Sequence, residues 1–164
     1  MPIITTDIVY RLSGGAANAD PLLSLGGARS SAASSATIFD DVTSAEALAG
    51  DTEYRLVYVH NAHATLSYLT AAIWIQTQTP SASTDVAIGL AAAGLNGVET
   101  AVANENTAPA GVTFSAPSTF GAGLALGTLA PGQHFGVWVK RTVTAGAASA
   151  ADGFTLRVQG DSNP

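Results

Sequence analysis

The sequence predicts an all-β fold: a two-sheet antiparallel β-sandwich, jelly-roll-like, with at most one short helix. Three observations carry this. Many short segments alternate apolar and polar residues with period two. Gly, Pro and Asn punctuate them at turn-like intervals. Against these stands a single helix-start signal, at Thr43.

Residues 154–159, Phe-Thr-Leu-Arg-Val-Gln, alternate cleanly and read as a half-buried strand. Around residues 134–143, Phe135, Val137, Val139 and Val143 share one phase, with His134, Lys140 and Thr142 in the other. Residues 53–60 are rich in Tyr and Val, and residues 67–76 centre on Ile73-Trp74-Ile75. Residues 7–12, 37–39, 85–90, 98–103, 111–114 and 124–129 are further candidates. Eight to ten short strands in 164 residues point to a sandwich or barrel.

Thr43 and Glu46 have capping-box spacing, in which each side chain satisfies a free backbone N–H of the other residue. Gly50 supplies the conformation that stops the helix, which places it at Ser44–Ala49. So short a helix needs the sandwich edge for support. Two stretches look irregular. Residues 13–36 are rich in Gly, Ala and Ser and long for a connection. They read either as a poorly ordered loop or as an arm draped over a neighbouring subunit. Leu22, Leu23 and Leu25 favour an arm that docks on another chain, because a solvated linker has little use for three leucines. Residues 104–123, with Pro109 and Pro117, form a second long connection. No internal repeat or domain boundary is visible, so residues 1–164 read as one domain.

Charge is sparse. Charged residues make up 11% of the chain, against about 25% in an average globular domain. Six Lys and Arg face twelve Asp and Glu, and only Lys140-Arg141 are adjacent cations. No basic cluster is present to neutralise phosphates, so nucleic acid is not an expected partner. No apolar run approaches the roughly 18 to 20 residues of a membrane span, and no membrane partner is expected. The N-terminus lacks a secretory pattern and no Asn-x-Ser/Thr site occurs. Absence of Cys removes disulfides and thiol chemistry.

Chemistry is mostly missing. His60 and His63 have a spacing that can bind metal, but they read as a strand end and the turn after it, and His134 is the only other imidazole. Asp40-Asp41 and Asp51-Thr52-Glu53 offer oxygens of the kind that hold calcium; cap and turn roles are the default reading. Ser residues are many, but the Gly-x-Ser-x-Gly elbow is absent. Gly121–Gly127 leads into a strand, where a dinucleotide loop needs a helix. The chain is therefore read as no enzyme, with no catalytic residue, metal or cofactor. Trp74 and Trp138 lie out of phase with their β-branched neighbours. They read as covered by the long loops, as anchors in a subunit interface, or as a sugar-stacking platform; low surface charge favours the interface.

Residues 50–61, Gly-Asp-Thr-Glu-Tyr-Arg-Leu-Val-Tyr-Val-His-Asn, resemble a signature of small virion structural proteins of tailed bacteriophages. So do Leu129-Ala130-Pro131-Gly132-Gln133 and the Val137-Trp138-Val139-Lys140-Arg141 strand that follows, running on to Ala147. These stretches cover about a fifth of the chain. Many such proteins are capsid decoration, or cement, proteins with a β-sandwich fold. The resemblance implies a structural role at the capsid surface of the virion, after synthesis in the host cytoplasm. The implied partners are the major capsid protein and copies of the chain itself, as a dimer or trimer. Leu22, Leu23, Leu25, Trp74 and Trp138 are the expected contact residues. The alternative is a carbohydrate- or receptor-binding module of a tail or baseplate, for which Asn104-Glu105-Asn106 is the obvious polar cluster.

Overall fold

The computed structural model describes residues 2–34, 37–146 and 152–162. Its strands are β1 (Ile8–Leu12), β2 (Asp51–Asn61), β3 (Tyr68–Thr77), β4 (Thr84–Leu95), β5 (Leu124–Leu129), β6 (His134–Val143) and β7 (Thr155–Ser162). They form two antiparallel sheets, ordered β1-β2-β6-β4 and β5-β3-β7. The sandwich is as expected. A jelly roll has eight strands in two Greek keys; the seven described strands divide four and three, and that finer class does not follow from them.

Between the sheets lies the main core. Val57 and Val59 of β2, Val137 and Val139 of β6, and Val86 and Ile88 of β4 meet Ile73, Ile75, Leu126 and Leu129 from the other sheet. β-Branched side chains fit such a pleated, crowded surface because few rotamers are lost there. β2 and β6 are the central strands, paired from Asp51↔Val143 to His60↔His134. Both are buried almost continuously, as strands covered on both faces are. β7 alternates exposed and half-buried residues, the pattern read from its sequence.

The helix α1 (Ser44–Ala49) forms where its capping box places it. Thr43 Oγ1 accepts from Glu46 N at 3.3 Å, and Glu46 Oε2 accepts from Thr43 N at 2.7 Å. Gly50, at φ 76°, ends the helix. None of its residues is buried, and a bond from Gly146 N to Ala47 O ties it to the chain after β6. Three expected strands are not strands. Residues 37–39 bend, placing Ile38 and Phe39 in the core. Residues 98–103 and 111–114 make only isolated bridges nearby, Gly27↔Glu99 and Ile88↔Ser115.

Candidate functional site

The outer face of the four-stranded sheet is where sequence and structure diverge most. Leu56, Tyr58, Ala91 and Trp138 form a second hydrophobic cluster there, on the side away from the main core. Residues 13–34 and 96–118 lie across it as a third layer without regular secondary structure. Backbone bonds fasten this cover to the sheet and to itself. Leu56 N donates to Ser24 O at 2.8 Å, and Tyr54 N to Glu105 O at 2.7 Å. Gly27 N donates to Glu99 O and Val102 N to Leu25 O, each at 2.8 Å. Ser30 N and Ser34 N donate to Leu12 O and Tyr10 O along the free edge of β1, each at 2.8 Å. Ser115 exchanges two bonds with Ile88 of β4, and Pro117 O accepts from Ile75 of β3, so this segment clasps both sheets.

The polar groups over the Tyr58–Trp138 cluster are paired. Tyr58 donates its hydroxyl to Gly27 O at 2.6 Å and accepts from Glu99 N at 3.2 Å. Burial raises the Tyr58 pKa above its ordinary value. The buried Glu99 carboxylate accepts from Trp138 Nε1 at 3.3 Å and from Ala93 N at 2.8 Å. Tyr58, Glu99 and Trp138 thus each have a partner, as buried polar groups require. The fit is tight: a Cβ on Gly89 would come within 2.5 Å of Val112 Cγ1 and 2.7 Å of Thr113 O. Gly89 is glycine because the cover passes directly over it.

The arm expected to dock on another chain is fastened to its own sheet. The described part of it, residues 13–34, packs on its own sheet; Ser35 and Ala36 lie outside the described residues, as does Ala147 of the resembling stretch. Trp138 is 0% exposed beneath the cover and has no surface to offer a partner. Trp74 is 6% exposed, with the Phe120 ring 5.7 Å away and the Arg157 guanidinium 5.7 Å from its own ring. The loops therefore cover Trp138, and neither indole is an open platform. Leu25 is half-buried, whereas Leu22 and Leu23 are 41% and 60% exposed on a 3₁₀ turn at Pro21–Leu23. Asp20 caps that turn, its Oδ1 accepting from Leu22 N at 2.9 Å.

The two stretches that carry the phage resemblance are the paired strands β2 and β6. Their charged residues converge with two distant acids. Arg141 Nε donates to Glu53 Oε2 at 2.5 Å, and Arg141 Nη2 lies 3.6 Å from Asp40 Oδ1; Arg55 is ion-paired to Glu105 and is fully buried. The Phe39 ring lies against both guanidinium groups, 5.5 and 4.7 Å from its centroid. Burial pushes the Glu53 pKa up, against the opposing pull of Arg141 and Arg55. Oxygens of Asp40, Glu53 and Glu105 approach within 4.8 Å of one another, a spacing compatible with a cation. Two guanidinium groups already engage them, so the arrangement is an ion-pair network closing one end of β2 and β6. Beside it opens a cleft of about 650 Å³, lined by Phe39, Asp41, Thr84, Arg141 and Phe154 among others.

The remaining polar candidates have structural roles. His63 Nδ1 accepts from Thr65 N at 3.1 Å and Leu66 N at 3.0 Å, which makes it a turn cap. Asn106 Nδ2 donates to Asp51 Oδ1 and Thr52 O, at 2.7 and 3.0 Å. Asn104 Oδ1 accepts from Asn106 N and Thr107 Oγ1. That polar cluster fastens its own loop to the start of β2. His60 and His134 face each other across β2 and β6. No sequence signal singled out Glu99 or Arg29, because both act through residues far away in the chain.

No protein-family model, no curated protein and no solved structure matches the chain.

Proposed function

We propose that the chain is a structural virion protein of a tailed phage, a capsid decoration protein that binds and stabilises the shell. Its partners in this reading are the major capsid protein and further copies of itself. The observation that carries it is the crest formed by Leu22 and Leu23. Two adjacent leucines stand exposed on a turn whose flanks are hydrogen-bonded to the sheet beneath. An apolar anchor on a rigid support loses little entropy on docking, which is what a small contact needs. The sparse charge of the chain suits close packing against a neighbour. The resemblance of β2 and β6 to phage virion proteins supplies the class of partner. The alternative, a carbohydrate- or receptor-binding module, has less support. Its expected aromatics are buried, and Phe120, 40% exposed over Trp74, is the aromatic left to serve it.

The test is co-sedimentation with empty shells assembled from a tailed-phage major capsid protein of the same genome. The parent protein should pellet with the shells, and Leu22→Ser with Leu23→Ser should weaken binding at least tenfold. The melting temperature of the double variant should stay within about 2 °C of the parent, since exposed substitutions change stability little. Parent protein that stays in the supernatant, or a double variant that binds as tightly, refutes the reading.

A further inference from the structure

At one end of the covered face, four basic side chains gather without an acid among them. Arg11 of β1 stands opposite Tyr58, and His60 of β2 stands opposite His134 of β6. Tyr58 belongs to the covered cluster, so the residues two along or directly across from it, His60 and Arg11, share its face. His134 falls on the same face, its ring meeting that of Tyr58 edge-on at 5.0 Å. Arg29 reaches the group from the cover. The chain has a net charge of -6, yet these cations attract no carboxylate. Every ion pair among the described residues belongs to Arg55 or Arg141.

A second observation points at a ligand. Six buried side-chain nitrogen or oxygen atoms among the described residues lack a hydrogen-bond partner, and four are in this cluster: Arg11 Nε, Arg29 Nε, His60 Nδ1 and His134 Nδ1. His60 as a whole is 8% exposed. Arg11 Nη1 donates to Ser31 O at 2.5 Å and Arg29 Nη1 to Ser30 O at 3.4 Å, so the two guanidinium groups are held by the arm's own backbone. A guanidinium Nε–H can only donate, and an imidazolium donates from both nitrogens. Two guanidinium Nε–H donors, and two imidazole nitrogens that donate once their rings are charged, can serve the lone pairs of an oxyanion.

We infer that Arg11, Arg29, His60 and His134 form a binding site for a small tetrahedral oxyanion of the phosphate or sulfate class, seated between the arm and the sheet. Charge-assisted bonds from two guanidinium groups hold it, as arginine does wherever such anions are recognised. The anion also ties the arm to β1, β2 and β6 at once. Without it, burial and the two arginines keep His60 neutral, with a pKa near 4, and burial and Arg29 lower that of His134. The bound anion reverses that field, so its binding takes up protons and tightens as pH falls.

Thermal melts in inorganic phosphate, at constant ionic strength against chloride, test this on the full chain. A saturable rise in melting temperature is expected at pH 6, with a smaller one at pH 8. Sulfate in parallel separates a general tetrahedral site, where both saturate, from one that prefers phosphate. Arg29→Gln should reduce apparent phosphate affinity at least tenfold while the protein still folds. Long-range ¹H–¹⁵N spectra of the parent provide a second readout that needs no variant: phosphate should shift the His60 and His134 imidazole signals and leave His63 in place. Melting temperatures and imidazole signals unmoved by tens of millimolar phosphate and sulfate would overturn the site. A rise that Arg29→Gln leaves intact, without imidazole shifts, would overturn it equally.

Discussion

The two sheets of this sandwich treat their outer faces differently. The four-stranded sheet is roofed by residues 13–34 and 96–118, and its Trp138 is sealed, with the indole N–H bonded to Glu99. Among the described residues the three-stranded sheet carries no such roof: β7 alternates exposed and half-buried residues, half of β5 is exposed, and Trp74 is shielded mainly by Phe120 and Arg157. Both tryptophans sit in the same sequence context, out of phase with β-branched neighbours. Their surroundings differ because long connections form a packed layer on one side only. A segment without regular structure can be buried when its backbone groups find partners elsewhere, and here Ser24, Leu25, Gly27, Glu99 and Glu105 supply them.

The largest effect expected from this difference is loss of folding on the roofed side. Deleting residues 16–31 removes the acceptors of Leu56 N, of Val102 N and of the Tyr58 hydroxyl. Unpaired buried groups cost about 1–3 kcal/mol each. The variant should lose its cooperative melt and native tryptophan fluorescence. A truncated protein that melts near the parent temperature would show the roof to be dispensable.

Next in size is the contrast between the tryptophans themselves. Trp138→Ala leaves a cavity hemmed by the sheet and the roof and an unpaired Glu99 oxygen, and should cost about 3–5 kcal/mol. Trp74→Ala should cost less than half of that, because Phe120 and Arg157 lie at the surface and can close over the space. Urea midpoints at matched slope measure both. Equal losses would mean that the three-stranded face is as constrained as the roofed one.

The same asymmetry decides what the sequence discloses. β2, β3, β6 and β7 are legible because their side chains alternate between two environments, and α1 because its cap is local. Residues 98–103 and 111–114 mislead for a physical reason. Val102, Val112 and Phe114 pack against the covered cluster, so the roof alternates in burial like a strand while pairing with almost nothing. The ion-pair network shows the other kind of gap. Glu53, Arg55 and Arg141 stand out within the phage-like stretches, but Asp40 and Glu105 join them only through the fold. The outward phase of Trp138 is visible, and cover by the long loops is one reading of it; which loop residues meet is not visible, since no local pattern encodes a contact between Gly27 and Glu99.

The smallest effect expected is on pH, and it belongs to the roofed side alone. His60 faces His134, Arg11 and Arg29, and no carboxylate lowers the cost of charging it. Its pKa falls from 6.5 to about 4 in the folded protein, chiefly through burial and then through the two arginines and His134. The unfolded chain therefore binds protons that the folded chain refuses. This contribution to stability is complete above pH 6.5 and is lost as pH falls from 6.5 toward 4. Partial hydration of the rings leaves on the order of 1 kcal/mol from the two histidines together. In a chloride buffer free of phosphate, the melting temperature should drop across that window. His60→Gln with His134→Gln should flatten the drop, while the carboxylates contribute equally to both proteins. Hydrogen exchange should locate the loss: amides of Ser30, Ser34 and Leu56, bonded across the seam, should open at pH 4.5 before those of β3. Parallel pH curves for parent and double variant, or opening that begins in β3, would detach the histidines from the roof.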